Sequence, residues 1–301
     1  MTLQQLRQVL TIAESNSMNE AAKKLFVSQP NLSATVREVE EDLGITVFMR
    51  NNRGITVTAE GEEFLGYAKQ VVEQYHLLEN RYLNVESKKK FSVSMQHYSF
   101  AVKAFVQLAK EVGMDEYEFA VHETKTKEVI DNVKNLKSEI GVLYLSDFNE
   151  KVLRKLFKEC DIEFKELFTC NTYVYLWKKH PLAGQKEITL DDLQEYPCLT
   201  FEQGVNNSFY YAEEMMSTYE YKRVIKADDR ATMLNLMVGL NGFTLCSGII
   251  SEDLNGDDYA AIPLKESEKM HIGYIKHKGT KLSKLGEIYI DALKNYENKV
   301  L

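Results

Sequence analysis

Proline and glycine are scarce, at four and fifteen residues in a chain of 301. Their scarcity leaves no composition for long low-complexity linkers. No apolar run approaches about 18 residues, so no membrane-spanning helix is expected. Residues 1–24 lack the basic start and unbroken apolar stretch of a signal peptide, which places the protein in the cytoplasm. Cys160, Cys170, Cys198 and Cys246 show no C-x-x-C spacing, and none of the six histidines pairs with a Glu at metal-ligand spacing. A structural zinc or other metal therefore has no support. Four reduced, packed thiols are expected, with a redox pair of Cys160 and Cys170 as the alternative. Gly-rich phosphate loops, G-x-S-x-G and H-E-x-x-H are all missing, so neither an enzyme nor a cofactor is expected.

An unpaired positive charge is missing too. The net charge is −8. In residues 1–58 Arg7, Lys23, Lys24, Arg37, Arg50 and Arg53 are balanced by Glu14, Glu20, Glu38, Glu40, Glu41 and Asp42. Charge alone would hold few phosphates there. Any nucleic-acid binding must rest on fit and on pairing of two copies.

The apolar spacing in that segment is informative. Leu3, Leu6, Val9, Leu10 and Ala13 make a first helix to about residue 15. Ser17 caps a short second helix, with Glu20 three residues on and Ala21, Ala22 and Leu25 facing inward. Phe26 and Val27 are expected to anchor the turn. Ser28 then caps a third helix that carries Pro30 in its first turn, Leu32, Val36, Val39 and Leu43 on its buried face, and Gly44 as C-cap. This is a helix-turn-helix whose third helix enters the major groove of DNA by its N-terminal end. Its outer face offers Gln29, Asn31, Ser33, Ala34 and Arg37 to base edges, and Pro30 to a thymine methyl. Val47–Phe48 and 55–57 read as two short strands around a turn, a wing with Arg50 and Arg53 at its base and tip. From Thr58 a helix runs to about residue 86, about 44 Å. Phe64, Ala68, Val71, Tyr75, Leu78 and Tyr82 form a heptad-like seam along it, expected to pair two chains.

The run Ala21-Ala22…Leu25-Phe26-Val27-Ser28-Gln29-Pro30…Leu32-Ser33…Val36…Val39-Glu40…Leu43-Gly44…Val47-Phe48…Arg50…Arg53…Thr56-Val57-Thr58…Gly61 resembles the DNA-binding domain of LysR-type transcriptional regulators. The resemblance covers residues 1 to about 85. It implies that Gln29, Pro30 and Ser33 touch bases, and that Ser28, Arg50 and Arg53 hold phosphates or the minor groove. Thr35 and Arg37 are left as backbone contacts. Ala34 stands where many members carry a basic residue.

The remaining residues alternate strands and helices. Strands are expected at 91–95, 117–122 and 140–144, with helices at 98–112 and 125–136, an order that argues for a parallel doubly wound sheet. Further elements are a helix at 152–160, two short strands within 163–177, a helix at 191–195, and a strand at 198–201. A helix at 209–219, a strand at 223–226, a helix at 230–238 and a strand at 242–246 come next. A strand at 270–275 and a helix at 281–296 complete the pattern. His180-Pro181-Leu182-Ala183 and Tyr196-Pro197…Thr200-Phe201 are similar to landmarks of the same family. The resemblance implies a two-lobed α/β effector domain like a periplasmic binding protein. The expected division is a winged helix-turn-helix at 1–58, a linker and dimerisation helix with hinge at 59–90, and an effector domain at 91–301. Within the last, lobe I is 91–163 with 266–301 and lobe II is 164–265. The chain would cross between lobes near 162–166 and 262–266.

A ligand should sit between the lobes at strand ends, where helix N-termini favour an anion. The candidates are Gln96, His97, Ser99, Thr124, Thr126 and Tyr144 from lobe I, and Thr200, Phe201, Cys246 and Ser247 from lobe II. The reading is a cytoplasmic regulator that binds double-stranded DNA as a homodimer or homotetramer. A small-molecule effector is expected to control it; helix ends suit an anion, the resemblance implies a carboxylate, and RNA polymerase is a further expected partner. An enzyme or an exported solute-binding protein could share a two-lobed fold, but neither accounts for residues 1–60.

Overall fold

The computed structural model describes residues 1–15, 17–51, 54–82, 89–113, 116–206, 208–250 and 252–296. The side chains of 50, 51, 54, 77 and 80–82 are also outside the description. The chain forms two compact units, Met1–Ser87 and Lys88–Leu301, taken in turn.

In the first unit α1 (Leu3–Ala13) is capped by Thr2, which forms a reciprocal box with Gln5. Ser17 caps α2 (Met18–Lys24) and Ser28 caps α3 (Gln29–Leu43), each accepting a backbone N–H three residues on. Gly44 ends α3 in the left-handed conformation at φ 68°, where the missing Cβ removes the strain. Val9, Ile12, Ala21, Ala22, Leu32, Val36 and Val39 interlock as one core. Two expected members are absent from it. Leu43 is exposed, and Phe26 is 96% exposed at φ 55°. Left-handed backbone at Phe26 turns its ring outward, so Val27 alone packs against the core.

The wing is the antiparallel pair β1 (Phe48–Asn51) and β2 (Gly54–Val57). Val47 ties it to the helices. Its N–H and that of Phe48 both donate to Glu40 Oε1, at 2.7 and 3.0 Å, and its carbonyl accepts from Thr58 N at 3.0 Å. A Cβ on Gly61 would lie 2.4 Å from that same carbonyl, so the close approach requires glycine.

α4 (Ala59–Tyr82) divides its apolar residues between two faces. Phe64, Ala68 and Val72 pack on Leu3, Leu6 and Leu10 of α1. Tyr67, Val71, Tyr75 and Leu78 stay exposed. The seam expected as one stripe is thus split. Phe64 and Ala68 are claimed by the chain's own first helix, and Tyr67 takes a place in the outer row.

In the second unit β3 (Lys89–Met95), α5 (Ser99–Val112), β4 (Tyr117–Glu123), α6 (Thr126–Lys134), β5 (Ile140–Leu145) and α7 (Glu150–Glu159) alternate. β6 (Ile162–Cys170), β7 (Tyr173–Trp177), β8 (Cys198–Phe201), β9 (Val224–Ala227) and α8 (Arg230–Leu240) follow. The last elements are β10 (Thr244–Cys246), α9 (Glu252–Asn255), β11 (Tyr259–Pro263), β12 (Met270–His277) and α10 (Lys284–Lys294). The first lobe has a five-stranded sheet in the order β4-β3-β5-β12-β6. β4, β3 and β5 are parallel, as the alternation requires, while β12 runs antiparallel to both β5 and β6. α5 and α10 bury Phe100, Leu108, Tyr289 and Leu293 on one side of it. α6 and α7 bury Val129, Val133, Leu153 and Phe157 on the other. The second lobe combines β10-β7-β11 with the parallel pair β8-β9.

Three differences from the sequence pattern matter. β6 stays paired with β12 to Cys170, so the chain leaves the first lobe's sheet after that residue rather than near 162–166. β11 pairs antiparallel with β7 through Pro263, a strand that the pattern did not signal. The helix expected at 209–219 is only a 3-10 turn, Phe209–Tyr211, followed by irregular chain with Met216 at φ 54°.

No helix among the described residues is long and apolar enough to cross a membrane. Glu40→Ala should strand two backbone donors at the start of the wing and destabilise the protein by about 1–3 kcal/mol. Urea unfolding measures it, and a loss below about 0.5 kcal/mol would mean that Glu40 does not hold the wing.

Candidate DNA-reading surface and effector cleft

α3 presents its N-terminal turn outward because Leu32, Val36 and Val39 take the opposite face into the core. Ser28, Pro30 and Arg37 are exposed, and Gln29, Ser33 and Thr35 are half-buried. Ser28 spends its hydroxyl on Asn31 N, at 3.4 Å, as the helix cap. Gln29 Nε2 donates to Ser33 Oγ at 2.7 Å, so two of the expected base-reading residues are joined across one helical turn. That bond leaves the Gln29 carbonyl oxygen and the second amide proton for a base edge. Arg37 and Ser33 flank a notch between α3 and the wing, with Phe48 and Ile55 on its other side. Of the wing arginines, the side chain of Arg50 and the whole of Arg53 lie outside the described residues.

In the second unit the expected cleft residues are drawn onto a segment of the chain's own second lobe. Gln96 is buried, and its Nε2 donates to Thr126 Oγ1 at 2.6 Å. Thr126 in turn donates through Oγ1 to the carbonyl of Tyr211 at 2.7 Å and through N to Gln203 Oε1 at 3.1 Å. Tyr144 donates its hydroxyl to the carbonyls of Ala212 at 3.0 Å and Glu214 at 3.3 Å. His97 donates its backbone N–H to Glu213 Oε2 at 2.9 Å and sets Nδ1 2.8 Å from the same oxygen. Gln203 Nε2 completes the set with a 2.9 Å bond to Glu213 Oε1. The carboxyl of Glu213 therefore sits just before the first turn of α5, where the positive end of a helix favours negative charge. The anion expected at this helix end is supplied by the chain.

Phe201 stacks on the His97 imidazole at 3.7 Å between ring centroids, nearly parallel. Its N–H donates to Glu214 Oε1 at 2.9 Å. His97, Ser99, Phe201, Cys246 and Ser247 border a cavity of about 80 Å³ that Glu213 and Glu214 also line. Thr124 and Thr200 are not on its wall. Thr124 turns its hydroxyl to Glu128 on the first turn of α6, and Thr200 sits in the β8-β9 pair.

Sequence reasoning missed Gln203, Glu213 and Glu214. The expected helix at 209–219 hid Glu213 and Glu214, which lie instead in irregular chain. Three carbonyls of that segment, at Tyr211, Ala212 and Glu214, instead accept from first-lobe hydroxyls. Two adjacent acids between aromatic and methionine residues were the available signal.

Burial pushes the Glu214 carboxyl up to about 8, and the neighbouring Glu213 adds to the effect. Burial also raises all four thiols, with Cys170 and Cys246 pushed up to about 12. A redox sensor works through the thiolate, which burial disfavours at each of these positions. The thiol beside Cys170 is Cys246, while Cys160 ends α7 among charged residues of α6. All four cysteines, Cys160 and Cys170 included, are free thiols. No group of three or more His, Cys, Asp or Glu able to hold a metal occurs among the described residues.

Residues 3–62 match the bacterial regulatory helix-turn-helix model of the lysR family, and residues 114–297 match the LysR substrate binding domain. The chain belongs to the LysR family. It is 25% identical to the HTH-type transcriptional regulator CysL of Bacillus subtilis (strain 168), over 98% of each chain. It is 41% identical to the uncharacterized HTH-type transcriptional regulator YkuM of the same organism, over 27% of this chain and 28% of that one. Its fold matches a full-length OxyR from Pseudomonas aeruginosa, a cysteine-to-aspartate variant, with a TM-score of 0.70 at 18% identity, covering 98% of this chain and 95% of the other. The protein is thus a LysR-type transcriptional regulator with a helix-turn-helix DNA-binding domain and an effector-binding domain.

Glu214 gives this LysR regulator a testable pH signature. Its proton is held more tightly in the folded chain than at the ordinary value of 4.5. Stability must then fall as pH rises from about 5 through about 8, because the unfolded chain gives up that proton earlier. Glu214→Gln should remove this loss, gaining about 1–4 kcal/mol on the wild type between pH 5 and pH 9. Denaturant unfolding of both proteins at the two pH values measures it, and parallel pH profiles would show that Glu214 titrates normally.

Proposed function

We propose that this regulator binds a partly palindromic operator as a dimer and answers to a small molecule held between its two effector lobes. The observation that carries the DNA half is the α3 surface, where Gln29 and Ser33 are fixed to each other on the exposed side of a capped helix. Gln29, Pro30 and Ser33 read base edges. Ser28, Thr35 and Arg37 contact the sugar-phosphate backbone, as do Arg50 and Arg53 of the wing. The domains run 1–58 for DNA, 59–90 for linkage and dimerisation, and 91–301 for the effector.

The exposed row Tyr67, Val71, Tyr75 and Leu78 on α4 supports pairing through that helix, since it recurs three to four residues apart on one face. Effector domains would join dimers into tetramers, and RNA polymerase would be the downstream partner in a cytoplasmic setting. Ligand binding would shift the balance between arrangements of the DNA-binding pairs. The convergence of His97, Thr126 and Tyr144 on one segment of the opposite lobe, with Gln96 bonded behind Thr126, supports an effector site there, because anything that moves this segment changes both lobes.

Gln29→Ala should weaken binding to the specific operator by about 10-fold or more and barely change binding to random duplex. Fluorescence anisotropy on both duplexes at one salt concentration reads this. Equal losses on the two would take base reading away from Gln29.

A further inference from the structure

Arg230, the cation that borders the cavity, is already paired, and so are two lysines at the start of α6. Arg230 meets Glu123, Lys125 meets Asp228 at 3.4 Å, and Lys127 meets Asp131. The donors at the head of α5 are filled by Glu213. An incoming carboxylate would find no free positive charge among these groups and would lie beside two acids. An anion there would also lie near the Glu213 carboxylate, and like charges repel.

A ligand of the opposite charge would meet an acid that has no cation of its own. Glu214 is 4% exposed and borders the cavity. Its Oε1 accepts from Phe201 N, and no lysine, arginine or histidine among the described residues contacts it. A buried carboxyl without a cation holds its proton, which agrees with the upward shift of this group. A second, independent observation lies across the cavity. Thr244 on β10 is 6% exposed and borders the same space, and its buried hydroxyl has no hydrogen-bond partner. An unsatisfied buried hydroxyl carries an uncompensated desolvation cost, which a ligand that supplies its partner relieves.

Much of the rest of the wall is apolar or aromatic, including Phe100, Tyr175, Met233, Met237 and Leu245, while Arg230, which also borders it, is held by Glu123. Aromatic faces and thioethers suit the apolar body of a cationic ligand. At about 80 Å³ the cavity suits a small ligand.

We propose that this cavity takes a small organic cation, an ammonium group on an apolar body, with Glu214 as its counter-charge and Thr244 accepting a hydrogen bond from it. This rests on the reading of the inter-lobe cleft as the effector site and replaces the expected carboxylate with an amine. On binding, Glu214 gives its proton to solvent, or to the ligand where that enters as the neutral amine, and the carboxylate then makes a charge-assisted contact with the ammonium.

Three nearly isosteric probes separate the outcomes: benzylamine, benzyl alcohol and benzoate, each titrated against the full chain by thermal unfolding and calorimetry. Benzylamine should raise Tm with concentration, and benzoate should not. Glu214→Gln should weaken benzylamine at least about tenfold. Thr244→Val, which keeps the shape and loses only the hydroxyl, should weaken it about threefold or more and serves if the first variant does not fold. Stronger stabilisation by benzoate, or equal benzylamine affinity in both variants and the wild type, would overturn the cationic ligand while leaving an effector cleft in place. Silence from all three probes would remove the cavity as a ligand site altogether.

Discussion

Buried polar groups must find partners, and this constraint organises the effector domain. The first lobe ends its strands in donors: the His97 N–H and ring, the Thr126 N–H and hydroxyl, and the Tyr144 hydroxyl. The second lobe answers with acceptors from a short irregular stretch, the side chains of Gln203 and Glu213 and the carbonyls of Tyr211, Ala212 and Glu214. An irregular stretch suits this task better than a helix, because a helix would use those carbonyls internally. The left-handed Met216 and the failure of 209–219 to become helical follow from the same demand. Glu214, drawn into the dry space beside Glu213, is left with a held proton, and the cavity takes its chemistry from that pair.

The DNA-binding unit depends on a different economy. Its charges cancel, so its hold on DNA comes from shape. Capped helix ends fix α3, Val47 bonded to Glu40 and Thr58 fixes the wing, and α1 takes one face of α4 while leaving another bare. Under the proposed reading, Gln29 and Ser33 bring to a base side chains already fixed to each other.

Local chemistry was legible in the sequence and long-range chemistry was not. Ser17, Ser28, Pro30 and Gly44 each act within four residues, and they mark α2 and α3 with their caps. The alternation of apolar segments shows the parallel strands β4, β3 and β5. It says nothing of β12 entering that sheet antiparallel, since the partner strands are far away in sequence. β11 was hidden because it is short and ends in Pro263. In the cleft, His97, Ser99, Phe201, Cys246 and Ser247 were readable as strand-end residues and do meet at one cavity. Their partner Glu213 stands 116 residues from His97, a distance over which periodicity carries no information. Phe26 shows the same limit in miniature, since apolar identity alone placed it inside while its backbone turns it out.

The central claim is that the chain's own carboxyl group joins the two effector lobes. A double-mutant cycle on His97→Ala and Glu213→Ala, read by denaturant unfolding of the full chain, tests it most directly. The account predicts a coupling of about 1–3 kcal/mol between the two sites. Losses that add to within about 0.5 kcal/mol would contradict it, because residues that share no contact behave that way.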